Sequence, residues 1–213
     1  MIIQKVIKGI GGIDHNAVDH ILRTGITCRW WQEVNPLPQH EIPQRLTERN
    51  LTWHQNHYDE PDPLEGNRPF YLRTPFISAT AGTVERDAFL KTNVLHPAWI
   101  EALRFATDVW ARDGYLFYCH VFIIGKKSVG HQLFAEELRE LNIYTGFSPF
   151  QPEGEIAAKI VIPPAQIQKA EYWPVDRFLD DIANDRLPEP AQVFNNPLFL
   201  PPEDYANVRD VLA

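Results

Sequence analysis

Cysteine is nearly absent. The 213 residues contain two, Cys28 and Cys119. They form no metal-type spacing, and they can pair only if the fold brings them together, so neither a reducing nor an oxidising compartment is excluded. Long apolar runs are missing too. The longest, YLFYCHVFII, has about ten residues, whereas a membrane-spanning helix needs about twenty. The opening stretch, MIIQKVIKGIGGIDH, lacks the apolar core of a signal peptide. Positive charge is in short supply, with 20 Lys and Arg against 28 Asp and Glu and a formal net charge of -8. Such a chain is poorly suited to gripping a phosphate backbone over a broad surface, although a local basic cleft is compatible with it. Repeats and low-complexity tracts are lacking. Neither a membrane nor a nucleic acid is therefore expected as a partner.

Hydrophobic residues make up 44% and charged residues 23%, the balance of a soluble globular domain with enough chain for one core. Prolines are plentiful, 18 in all, and cluster in 36–75 and 149–202. Proline blocks helix interiors and central strands, so these regions should be loop-rich with short strands. HILRTGI (20–26) reads as a short strand, and one helix is expected at 41–50 in an otherwise irregular segment. PFYLRTPFISAT (69–80) is β-rich. HPAWIEALRFATDVWARDG (96–114) is the clearest helix, with apolar residues at helical spacing, Pro97 in its first turn and Gly114 as its stop. YLFYCHVFII follows as a buried strand. HQLFAEELREL (131–141) reads as a short helix, EIAAKIVI and IQKAEYWPV as two strands about a PPAQ turn, and VDRFLDDIAN (175–184) as a late helix. Strands and helices do not alternate strictly, which argues for an α+β fold. The expected organisation is one domain over 1–185 and a Pro-rich tail, low in regular structure, over 186–213.

Two acids carry the candidate chemistry. Glu153 and Glu155 stand one residue apart where a Gly/Pro/Phe loop, GFSPFQPEGE, meets the apolar run beginning at Ile156. Successive side chains on a strand point to opposite faces, so the two carboxylates should share one. A face holding two carboxylates suits a reaction that stabilises a sugar cation and removes a proton from a nucleophile. By itself Glu-Gly-Glu is more simply a solvated turn.

Other pieces accompany it. Arg23 lies in ILRTG, a strand-like FISAT ends in Ser78-Ala79-Thr80, and an IPPAQI segment leads to a strand with aromatic residues. In this order, over about residues 20 to 175, they resemble the mono-ADP-ribosyltransferase toxins of the cholera, heat-labile enterotoxin and pertussis type. Those have a strand-borne arginine, a Ser-Thr-Ser strand, a helix, an apolar strand, a loop ending in Glu/Gln-x-Glu and an IPP-x-x-I segment. There are departures. Ala79 replaces the middle residue of Ser-Thr-Ser and Thr80 the third. Leu22-Arg23-Thr24-Gly25 stands where the family often has Tyr-Arg-x-Asp, and Arg29 in TCRWW competes with Arg23.

The resemblance implies two packed, mostly antiparallel sheets around an NAD cleft with flanking helices. It implies NAD as substrate and a protein as acceptor, in a toxin or effector that is secreted or delivered into a target cell. Glu155 would stabilise the oxocarbenium-like cation formed as nicotinamide leaves, or bind a ribose hydroxyl. Ser78 would hold Glu155. Arg23, with Thr24 and Thr80 beside it, would bind the cofactor, the guanidinium on phosphate oxygens. Glu153 would orient or deprotonate the nucleophile, and Glu rather than Gln there goes with transfer to arginine. Tyr144, Phe147 and Phe150 would recognise the target or simply anchor their loop. NAD glycohydrolysis, with water as acceptor, and a non-catalytic binding module are the rival readings.

No metal is expected. His54, His57, Asp59 and Glu60 in WHQNHYDEPD have a His-x-x-His spacing, but the segment reads as a solvated loop. His120 reads as a hydrogen-bonded core histidine. Trp30 and Trp31 read as core or as walls of a nicotinamide pocket, and Lys126-Lys127 as a solvated edge.

Overall fold

The computed structural model describes residues 2–34, 42–81, 83–86, 93–123, 143–144 and 155–205. In chain order the strands are β1 (Ile2–Gly11), β2 (Ile26–Thr27), β3 (Pro61–Asp62), β4 (Arg68–Pro69), β5 (Phe76–Thr80), β6 (Thr83–Arg86), β7 (Asn93–His96), β8 (Gly114–Ile123), β9 (Ile143–Tyr144), β10 (Glu155–Lys159), β11 (Val161–Ile162), β12 (Ile167–Trp173) and β13 (Gln192–Asn195). The helices are α1 (His15–Thr24), α2 (Arg29–Val34), α3 (Ile42–Arg45), α4 (Glu48–Asn56), α5 (Ala98–Ala106) and α6 (Val175–Ala183). The fold is α+β, as the order of elements led us to expect, with a mainly antiparallel sheet, as the resemblance implied.

Seven strands join in the order β1-β5-β10-β9-β8-β12-β13, with β1 also pairing to β8. The expected two sheets are thus one hydrogen-bonded network, but its joints are narrow. Among the described residues, β1 meets β5 at Ile7 and Thr80, and β8 meets β9, in parallel, at Ile123 and Ile143. Between the joints lie an antiparallel half, β1-β8-β12-β13, and a smaller one, β5-β10-β9. The long ladder of β1 on β8, Ile2 opposite Ile123 through Gly11 opposite Gly114, anchors the first half.

Alternation along the strands builds two cores. Val6, Tyr115, Phe117, Cys119 and Val121 of the first half meet Phe76, Ile77, Ala79 and Ile156 of the second, together with Val18 and Leu22 of α1, Trp30 of α2 and Leu51 of α4. On the other face, Leu116 and Trp173 pack against Leu103 and Ala106 of α5 and Phe178 of α6. Helix α5 lies very close to β1. A Cβ at Gly9 would stand 2.1 Å from the Ala102 carbonyl oxygen, and one at Gly11 would stand 2.0 Å from that of Ala106. Only glycine admits that approach.

Several element readings need correction. The helix expected at 96–114 ends at Ala106, because Asp108, Val109 and Trp110 take positive φ (54°, 53° and 70°), and Gly114 opens β8 rather than stopping the helix. The strand expected over EIAAKIVI divides into β10 and β11 at Ile160, φ 59°. Residues 20–26 are not a strand: most of the segment is the end of α1, which starts where the Asp14 carboxylate accepts from the Ala17 amide at 2.8 Å and ends at Gly25, φ 92°. Val18 and Leu22, four apart, bury one helical face, a periodicity hidden when the segment is read from His20. The helix expected at 41–50 divides into α3 and the later α4. The tail is more regular than expected, since β13 pairs with β12 over four residue pairs, Lys169 with Asn195 through Tyr172 with Gln192. The Asn196 amide then donates to the Pro164 and Ile167 carbonyls, both at 2.8 Å, and fixes the segment against the sheet. The expected helix 131–141 and Lys126-Lys127 lie outside the described residues.

Candidate functional site

Strand β5 lies beside β10, antiparallel, with Glu155 opposite Thr80 and Ala157 opposite Ser78. Directly opposed residues of an antiparallel pair share a face, so Ser78, Thr80 and Glu155 are brought together on one side of the smaller half-sheet. The Glu155 side chain is only 10% exposed. Thr80 is buried and Ser78 half-buried. Tyr144, in β9, is paired with Ala157 on the other side of β10. Glu153, Phe147 and Phe150 lie outside the described residues.

His54 is the residue that the sequence reading placed wrongly. It is not in a solvated loop but in α4, a helix capped by the Thr47 hydroxyl on the Asn50 amide at 3.1 Å. Its ring is buried over the face just described. Nδ1 is 2.7 Å from the Thr74 hydroxyl, Nε2 is 2.8 Å from the Ser78 hydroxyl, and Nε2 stands 3.6 Å from a Glu155 carboxylate oxygen. Burial, reinforced by the Lys8 charge, lowers the imidazole to about 3, so near neutral pH it carries one ring proton. A carboxylate beside Nε2 favours placing that proton on Nε2, aimed at Ser78 and Glu155. Nδ1 then accepts from the Thr74 hydroxyl, whose oxygen accepts from the Phe76 amide at 3.2 Å. A buried polar relay thus runs from the β5 backbone to the carboxylate. A histidine in an aromatic, polar segment gave no such sign in sequence; only tertiary contact reveals it.

The site's cations come from unexpected elements. Lys8 sits in β1 between Val6 and Ile10, which join the first core, while Ile7 faces the second. Alternation therefore turns Lys8 toward the first-core side. Burial lowers the amine to about 8, against the pull of Glu155 upward and with Arg29 lowering it further. Arg29 opens α2 and is exposed. Arg23 and Thr24, expected on a strand, instead occupy the exposed end of α1, where the Thr24 hydroxyl donates to the His20 carbonyl at 2.8 Å. One lysine in an apolar stretch has no partner visible in sequence; the β-branched run around Lys8 is the available signal.

The remaining candidates resolve more simply. His57 pairs with Glu60 at 3.0 Å on the surface. Among the described residues, no group of three His, Cys, Asp or Glu could hold a metal ion. Cys28 and Cys119 are both free and buried, and burial pushes both thiols up, Cys28 to about 12. Trp30 is core. His120 is buried beneath Phe199, the ring centroids 5.5 Å apart. Among the described residues, no helix is long and apolar enough to cross a membrane.

No family model matches the chain, and no curated protein matches it. Solved structures do. The chain is similar to EcPltA, with a TM-score of 0.48 and 15% identity over 93% of this chain and 88% of that one. It is also similar to the catalytic domain of the mosquitocidal toxin from Bacillus sphaericus, with a TM-score of 0.40 and 11% identity over 96% of this chain and 59% of that one.

Proposed function

We propose that this chain is an NAD-dependent mono-ADP-ribosyltransferase that transfers ADP-ribose to a protein side chain, with arginine the favoured acceptor. The observation that carries this reading is the convergence of Ser78 and Glu155 on one strand face, with His54 hydrogen-bonded to the serine and 3.6 Å from the carboxylate. The ordered motifs of the sequence support it independently, since they single out the same Ser78 and Glu155.

NAD joins a cationic nicotinamide to a ribose carbon. In the reaction this glycosidic C–N bond breaks, and nicotinamide leaves with the bonding pair as a neutral molecule. Positive charge then develops on the ribose, as in glycoside cleavage. Glu155 stabilises that charge or grips a ribose hydroxyl. Its low exposure strengthens the interaction, and the His54–Ser78 relay keeps the carboxylate aimed. Lys8 and Arg29 supply the cations that the pyrophosphate needs, a role expected at first of Arg23. The acceptor nitrogen donates its lone pair to the ribose carbon and loses a proton, which Glu153 accepts. A neighbouring carboxylate both attracts a guanidinium and takes up its proton.

Hydrolysis by water uses the same cation, so NAD glycohydrolase activity is the alternative on this site. The test is incubation with labelled NAD and a cell lysate, followed by mass spectrometry of the labelled proteins. Label on arginine is the expected result. Free ADP-ribose without labelled protein supports the hydrolase, and unchanged NAD refutes both.

A further inference from the structure

Beside His54 the surface carries two tyrosines that the roles above leave unused. Tyr58 follows α4 and is 41% exposed. Its ring lies edge-on against His54, centroids 5.6 Å apart, and tilted against Tyr71 at 5.7 Å. Backbone hydrogen bonds tie the pair together. The Tyr71 amide donates to the Tyr58 carbonyl at 2.8 Å, and the Phe70 amide to the Glu60 carbonyl at 3.0 Å. Strands β3 and β4 close the segment between them, and Arg49 holds Asp62 at its base with two bonds, at 2.9 and 2.6 Å. Burial raises the Tyr58 hydroxyl, Arg29 lowers it, and Asp59, Tyr71 and Glu155 raise it further. The phenol therefore lies within electrostatic reach of the site, while its neighbour Asp59 is exposed.

We propose that Tyr58 and Tyr71, with Asp59 at their edge, form a cation-binding platform that receives the acceptor's guanidinium next to Glu155. This rests on the transferase reading. An electron-rich ring attracts a planar cation over its face, and Arg-type cations are the commonest protein partners of such rings. The carboxylates of Asp59 and Glu155 add attraction of the same sign, opposed by the Arg29 charge that also acts on Tyr58. The platform opens to solvent, where a side chain on a folded protein can reach it, and it continues inward to His54, Ser78 and Glu155. It holds the acceptor by its flat face and leaves the guanidinium edge available to the ribose carbon.

Agmatine, a small guanidine, tests this directly. Its binding and that of NAD are each measured by calorimetry on the whole chain, for wild type and for Tyr58→Ala, Tyr71→Ala and Tyr58→Phe. Tyr58→Ala and Tyr71→Ala are expected to weaken agmatine binding about tenfold, the size of one cation–π contact, with NAD affinity within about twofold of wild type. Tyr58→Phe keeps the ring and should keep agmatine within about twofold, which separates recognition from misfolding. The platform is overturned if wild type does not bind agmatine or if both alanine variants bind it normally. It is overturned also if NAD affinity falls in its place, since the rings would then serve the cationic nicotinamide. Agmatine binding that depends on the tyrosines, in a protein that leaves NAD intact, would uphold the platform and refute the transferase.

Discussion

His54 is buried at the cost of its charge. The ordinary imidazole value of 6.5 drops to about 3 there, through burial first and Lys8 second, and at His120 burial lowers it to about 4. In the unfolded chain both rings bind protons below about 6.5. Between that value and about 4 the unfolded state therefore holds more protons than the folded state, and stability must fall as pH falls. The contribution is fully present above pH 6.5 and lost by stages down to the folded values. Thermal denaturation between pH 7 and 4 should show a melting temperature falling with acid, and less steeply in His120→Leu than in wild type. Equal slopes would remove His120 from this role. For function, His54→Gln should lower NAD cleavage about a hundredfold while leaving NAD binding nearly intact, because it misplaces Glu155 without touching the phosphate-side cations. Initial rates and NAD dissociation constants, measured together, check it. The legibility of the site divides at this scale. Ser78 and Glu155 could be read because each sits in a short motif with a fixed order. His54 and Lys8 could not, since their meaning lies in contacts between elements far apart in the chain.

Elements are held together here by close approach as much as by apolar area. Helix α5 lies on β1 with no room for a side chain at Gly9, where a Cβ would come within 2.1 Å of the Ala102 carbonyl oxygen. Backbone cannot yield as a flexible side chain can, so Gly9→Ala should destabilise the fold by about 1–3 kcal/mol, the usual cost of overpacking. Urea denaturation would report this as a lower midpoint at unchanged slope. Asn196 does comparable work for the tail. Its amide donates to two carbonyls, and its own carbonyl accepts from the Leu198 amide at 3.0 Å. Asn196→Ala should cost about 1–3 kcal/mol, and amide exchange should show β13 opening first. The sequence declared β8, β12 and α6 clearly through long apolar or amphipathic runs. It concealed α1, whose buried residues are few, and β1, whose lysines interrupt its β-branched run. The strand β13 was hidden among prolines, because four residues of pairing need no strong local signal when an existing edge strand receives them.

At the scale of the whole molecule, a net charge of -8 coexists with a lysine, Lys8, on which the Glu155 and Arg29 charges both act. The seven-stranded sheet makes this possible. Its two halves join at β1–β5, so β1 carries Lys8 past the very strand that holds Ser78 and Thr80. In the proposed mechanism the chemistry turns on Glu155, beside which His54 and Ser78 lie. The most direct measurement of that claim is the rate of nicotinamide release from NAD by wild type and by Glu155→Gln, with folding checked by circular dichroism. The substitution keeps the shape and removes the charge. Wild type is expected to release nicotinamide measurably, and the folded variant to lose about 100- to 1000-fold, the scale seen when one preorganised electrostatic contact to a transition state is removed. Release by Glu155→Gln at near wild-type rate, or no release by either protein, would contradict it.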